Sequence, residues 1–181
     1  MPGILALLAA LAVASPIPVN VDGEVGDAAA VRAAMEEALT RVDALVRPLV
    51  SPAVLVHQLP GVRVRPAFAL AGPQAAASTP GVTEVRPLAQ VDARARTVIA
   101  HEAAHQFLWS TCPASSSDAL FHEAFAVWAS GEAPLWLEGD DYLSLPRARE
   151  LLGKSSLDSR AARRALARLI VEEVGSPLAI A

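Results

Sequence analysis

The chain has 181 residues, 53% of them hydrophobic and 19% charged, which is enough apolar material for one globular domain with its own core and excludes a disordered chain. A net charge of -4 and a pI near 5.5, with no long basic block, give no electrostatic footprint for nucleic acid. The single cysteine, Cys112, excludes an internal disulfide and a four-thiolate zinc site, and is expected to be a small buried side chain near a helix end.

Ile4 to Ala14 is an unbroken apolar run followed by Ser15 and Pro16, and Ala12-Val13-Ala14 has the small-x-small pattern of a signal-peptidase site. The expectation is an export signal over 1–14, a single domain over 15–181, and a secreted or periplasmic protein. The competing reading is a buried N-terminal helix, because Met1-Pro2-Gly3 carries no Lys or Arg. The run falls well short of the roughly 20 residues that span a bilayer, so no stable membrane span is expected.

Asp27 to Arg47 reads as an amphipathic helix, with Val31, Met35, Leu39, Val42 and Val46 recurring every three or four residues until Pro48 stops it. Ala53 to Gln58 and Val62 to Phe68 are β-rich and flank Pro60-Gly61, which predicts a small hairpin or meander. His57 reads as a sheet residue without a catalytic part. Ala71 to Gly81 is a loop by composition. Val82 to Leu88 is a third strand, which Pro87 places at a sheet edge, and an extended peptide could pair along that edge.

Helical signals then dominate. Asp92 is the expected N-cap of a helix to about Ser110, closed by Cys112-Pro113. A second helix follows the capping-box-like Ser115-Ser116-Ser117-Asp118 and ends at Gly131. Two more cover 146–152 and 158–174. On the last of these, Arg160, Arg163, Arg164 and Arg168 form one cationic face, either solvated or in contact with an anionic lipid surface or a substrate carboxylate. The fold class expected is α+β: mainly helical, with a small sheet.

His101-Glu102-Ala103-Ala104-His105 carries the strongest chemical content. On a helix, positions i and i+4 share a face with β-carbons about 5–6 Å apart, so two imidazoles can share one ion. Zinc accepts neutral imidazole nitrogen, and the intervening carboxylate falls where it can take a proton from water. Glu123 is the candidate third ligand. It lies in Leu120 to Ala129, apolar around the whole helix and therefore expected to be largely buried, where a carboxylate needs a positive partner. That partner is a metal or an arginine of the C-terminal helix. Leu108 and Thr111 exclude the longer three-histidine motif of metzincins.

His101 to Gln106 and Leu120 to Ala126 resemble the two zinc-helix blocks of gluzincin metallopeptidases (the peptidase-MA-like group), with seventeen residues between His105 and Glu123. The resemblance, with the strand before it, covers roughly 50 residues, Val82 to Gly131. It implies a zincin-like domain whose edge strand lies beside the zinc helix, Zn2+ held by His101, His105 and Glu123, Glu102 as general base, and a peptide or protein substrate. The same ligands also suit a zinc-stabilised binding protein without turnover.

Two departures stand out. The family's acid four residues after the ligand Glu, which orients a histidine ligand, is replaced by Val127, and His122 stands where the family has asparagine. His122 reads as a packing residue or a support for a ligand. The family's oxyanion-stabilising Tyr or His has one downstream counterpart, Tyr142, in a polar loop where a phenol can equally be a surface group.

Overall fold

The computed structural model describes residues 17–50, 57–67, 75–113, 118–137, 143–154 and 159–175. The expected export signal, residues 53–56 of the strand over 53–58, the first three residues of the capping box and Tyr142 lie outside them.

Chain order is β1 (Val19–Val21), α1 (Ala28–Val46), β2 (Val62–Pro66), β3 (Ala76–Thr79), β4 (Val82–Val85), α2 (Ala93–Thr111), α3 (Ala119–Ser130), α4 (Ala133–Leu137), α5 (Leu145–Lys154) and α6 (Arg160–Leu169), the last continuing as a π-helical turn over Ile170–Val174. The molecule is mainly helical with a small mixed sheet, an α+β arrangement. The long helices begin where side chains satisfy their first free N–H groups: Asp27 accepts from Ala30, Asp92 from Ala95, Asp118 from Phe121 and Ser159 from Ala162.

The sheet runs β1-β2-β4-β3, parallel between β1 and β2 and between β2 and β4, and antiparallel between β4 and β3. Three expectations change here. No hairpin forms about Pro60-Gly61, because both sides of β2 are taken by parallel neighbours. The hairpin sits instead at Pro80-Gly81, inside the segment expected to be a loop; Gly81 has φ 78°, as the third residue of a type II turn requires. The third strand is internal, between β2 and β3, so the proposed pairing of a substrate along Val82 to Leu88 has no open edge to use. Pro87 did not bar this, because the ladder stops at Val85 and the missing N–H lies beyond it. The edge strand on this side is β3, and it packs against α2.

One face of the sheet contributes Val19, Val62, Val64 and Val85 to the main core, against Val31, Met35, Leu39 and Val42 of α1 and Ile99, Ala103 and Phe107 of α2. On β2 the alternate residues Arg63 and Arg65 face solvent and pair with Asp22 and Glu84. Gly26 is required where the chain enters α1: its φ is 101°, and a β-carbon there would stand 2.0 Å from the Leu88 carbonyl oxygen. A second cluster joins Val127 of α3, Ala133 before Pro134 in α4, and Leu166 and Ala167 of α6.

Candidate metal centre

Helix α2 is buried on all sides from Ile99 to Leu108. Ala100, Ala103 and Ala104 keep its girth small, so α1 and α3 both approach closely, and the polar residues of this stretch are enclosed. His101, Glu102 and His105 are each less than a tenth exposed, a costly placement unless each polar atom finds a partner.

The partners identify the chemistry. His101 Nδ1 donates to Glu132 Oε1 at 2.8 Å, because an ionised carboxylate can only accept. In the neutral ring this leaves a lone pair on Nε2, which faces Nε2 of His105 at 3.2 Å and Arg163 Nη1 at 3.4 Å. His105 Nδ1 lies 3.4 Å from His122 Nδ1, with the rings stacked and Trp109 covering both. Burial and the neighbouring His105 lower the His122 pKa. In the tautomer with the His105 proton on Nδ1, shared with His122, Nε2 of His105 faces the centre beside that of His101.

Glu123 of α3 closes the group, with Oε2 3.6 Å from His101 Nε2 and Oε1 3.6 Å from His105 Nε2. Two imidazole lone pairs and a carboxylate converge with all three ligand atoms within 4.8 Å of one another. A tetrahedral ion with bonds of about 2.0–2.1 Å has ligand edges near 3.4 Å, between the separations observed. Glu123 Oε2 is buried and receives no hydrogen bond; Arg163 Nη2 stands 3.2 Å away without aiming an N–H at it. The residues fit a metal ion: His101, His105 and Glu123 form a group able to hold one.

Burial alone would push the His101 pKa down, but the facing carboxylates of Glu123, 3.6 Å away, and Glu132, hydrogen-bonded to Nδ1, outweigh it and raise it to about 10. Burial likewise opposes the Glu123 carboxylate, and the imidazoles of His101 and His105 together with Arg163 overcome it, holding its pKa far below the usual carboxylate range.

One residue of the centre, Glu132, was not predicted, and a second, Arg163, was foreseen only as one of several arginines on the last helix. Glu132 supplies the orienting carboxylate that Val127 cannot; Val127 is wholly buried in the second cluster. Gly131, at φ 75°, turns the chain back after α3 and brings Glu132 under α2. The sequence signal was a lone acid directly behind a helix-ending glycine and ahead of an apolar run. Arg163 contacts both Glu123 and Glu132 and lies with its Cζ 5.9 Å from the Trp136 ring centre, so the arginine face of α6 is not simply solvated: Arg163, Arg164 and Arg168 are half-buried. Of the two partners foreseen for Glu123, a metal or an arginine of the C-terminal helix, the arginine is present as Arg163.

Other expectations are corrected. Cys112 is exposed. The first turn of α3 is open, with Leu120 45% and Phe121 48% exposed, because Asp118 caps it at the surface. His57 is not in a strand: its segment is held to the end of α2 by the Gln58 N–H on Ser110 O, and the imidazole touches Phe107, Ser110 and Asp43 and none of the metal-binding group.

No family model, no curated protein and no solved structure matches the chain. The likeness to gluzincins is carried by the two helical blocks alone.

Proposed function

We propose that the protein is a zinc-dependent peptidase of gluzincin type, in which His101, His105 and Glu123 hold the ion and Glu102 is the general base. The observation that supports this best is the convergence of two imidazole Nε2 atoms and the Glu123 carboxylate beside a second buried carboxylate, Glu102. Zinc so held would lower the pKa of bound water and polarise a scissile carbonyl. Two imidazole nitrogens and one carboxylate oxygen are a donor set that zinc accepts, with a fourth position left for water.

The chain's own residues supply the rest. Glu102 follows His101 by one residue, about 100° round the helix, and is close enough to favour the charged form of that ring. In this role it takes a proton from the attacking water and returns it to the leaving nitrogen. Glu132 and His122 fix which nitrogen of each histidine faces the centre.

The test compares wild type with Glu102→Gln in metal content and in digestion of a peptide library. The expected result is equal zinc in both and cleavage lowered by several orders of magnitude in the variant. A wild type that holds zinc and cleaves nothing selects the second reading, a metal-stabilised binding protein, which the Arg163 contact with Glu123 favours because it partly neutralises the ligand carboxylate.

A further inference from the structure

Arg163 has more donors than the structure uses. Its contacts are Glu123 Oε2 at 3.2 Å, which receives no hydrogen bond, Glu132 Oε1 at 3.9 Å, which is too far for one, and His101 Nε2 at 3.4 Å, whose lone pair belongs to the metal-binding group. Arginine counter-ions frequently fork onto a carboxylate with two short parallel bonds, as Arg63 does onto Asp22; Arg163 makes no such pair. Instead the guanidinium lies over Trp136, less than a fifth exposed, with its charge held at the edge of the centre. Among the described residues, no other arginine or lysine is paired with His101, His105, Glu123 or Glu132.

We propose that Arg163 is the oxyanion-binding residue of this centre, donating to the substrate carbonyl oxygen as negative charge develops there. The proposal rests on the peptidase reading above. In the step it serves, the water oxygen bonds to the carbonyl carbon, one water proton passes to Glu102, and the carbonyl π pair moves onto oxygen beside the guanidinium. The tetrahedral adduct collapses as the C–N bond breaks and the departing nitrogen takes the proton from Glu102, leaving an acid and an amine. Arginine suits the task because it stays charged in a buried place and presents several N–H groups in a fixed plane. Its position on α6, forty residues after Glu123, fills the place that sequence reading offered to Tyr142.

The test uses the full chain loaded with cobalt(II), whose visible absorption reports on ligands entering the centre. Inorganic phosphate, a tetrahedral oxyanion, is titrated beside imidazole, a neutral ligand, into wild type, Arg163→Met and Arg163→Lys. The expected result is phosphate binding weakened at least tenfold in Arg163→Met, on the order of one charge-assisted hydrogen bond, with imidazole binding unchanged and Arg163→Lys in between. Equal phosphate affinity in wild type and Arg163→Met, with cobalt held by both, overturns the proposal and leaves the metal centre standing. So does a parallel loss of phosphate, imidazole and cobalt, which would mark Arg163 as a support for Glu123. A wild type that takes up no cobalt overturns the metal-centre reading and the proposal together. Should Arg163→Met fail to melt cooperatively, Arg163→Lys decides: phosphate weakened relative to imidazole supports the role, and equal affinities overturn it.

Discussion

His101 is caught between two opposing effects, and the balance makes its charge state a function of what occupies the centre. Burial disfavours the imidazolium, while the carboxylates of Glu123 and Glu132 favour it more strongly. With the metal removed by chelation, a histidine whose folded pKa is near 10 against about 6.5 unfolded contributes stability that is fully present below about pH 6.5 and lost as pH rises toward 10. Glu123, held low, contributes in the opposite sense, with its share present above about pH 4.3 and lost as pH falls through its depressed value. The two shifts describe largely one interaction and are counted once. A metal ion needs the His101 lone pair, so binding at pH 7.5 is expected to release about one proton. Calorimetry in two buffers of different ionisation enthalpy measures it; no buffer dependence would contradict the assignment. Glu132→Gln is expected to weaken metal binding by about 10–100-fold, since the amide can still accept from Nδ1 but brings no charge to it. A competition titration with a colorimetric chelator reads this directly. The metal-binding spacing was legible in the sequence because helix geometry alone puts positions 101 and 105 on one face. Glu132 was not legible, and of Arg163 only its helix was foreseen, because each reaches the centre through tertiary packing: a left-handed turn at Gly131 and the docking of α6 beside α4.

At the scale of elements, Gln106 joins the metal helix to the sheet. It is wholly buried; its Oε1 accepts from the Gly81 N–H at 2.9 Å, and its Nε2 donates to Thr79 O, Val82 O and Thr83 Oγ1 at 2.9–3.1 Å. One side chain thus ties α2 to the β3–β4 hairpin at its turn. Gln106→Leu would remove these bonds to a half-buried turn and the one to the buried Thr83 hydroxyl, and a loss of about 1–3 kcal/mol is expected by urea denaturation. A change under about 0.5 kcal/mol would mean that the hairpin is held by packing alone. This junction also shows where local reading stopped. Two Pro-Gly pairs occur, at 60–61 and 80–81, and either can turn a chain. Which one closes a hairpin depends on the strands that flank it, and β2 takes parallel partners from distant segments that no local pattern announces. The longer helices were legible nearly to their ends, because caps such as Asp27 and Asp92 and a 3.6-residue apolar period are properties of the segment itself, whereas the five-residue α4 is too short to show a period and was not foreseen.

In the molecule as a whole, the centre is a product of α2 packing against α3, with each helix held from behind by its own core. The main core fixes α2 against α1 and the sheet, and the second cluster fixes α3 against α4 and α6, while Arg41 of α1 donates to the carbonyls of Ala129 and Ser130 at the end of α3. A ligand bridging two helices stabilises the fold that brings them together. At a free metal concentration 1,000 times its Kd the gain is about 4 kcal/mol, which for a domain of this size raises Tm by on the order of 10 °C. Scanning calorimetry with and without chelator measures it, and an unchanged Tm would show that no ion joins α2 to α3. Among the described residues no helix is long and apolar enough to cross a membrane. The central claim, that His101, His105 and Glu123 together hold one metal ion, is tested most directly by elemental analysis of the purified full chain beside His101→Ala, His105→Ala and Glu123→Ala. The account predicts one equivalent of zinc in the wild type and loss of tight binding in each variant, because a three-ligand site that loses one protein donor no longer holds the ion firmly. A wild type without bound metal, or full occupancy in any of the three variants, would contradict it.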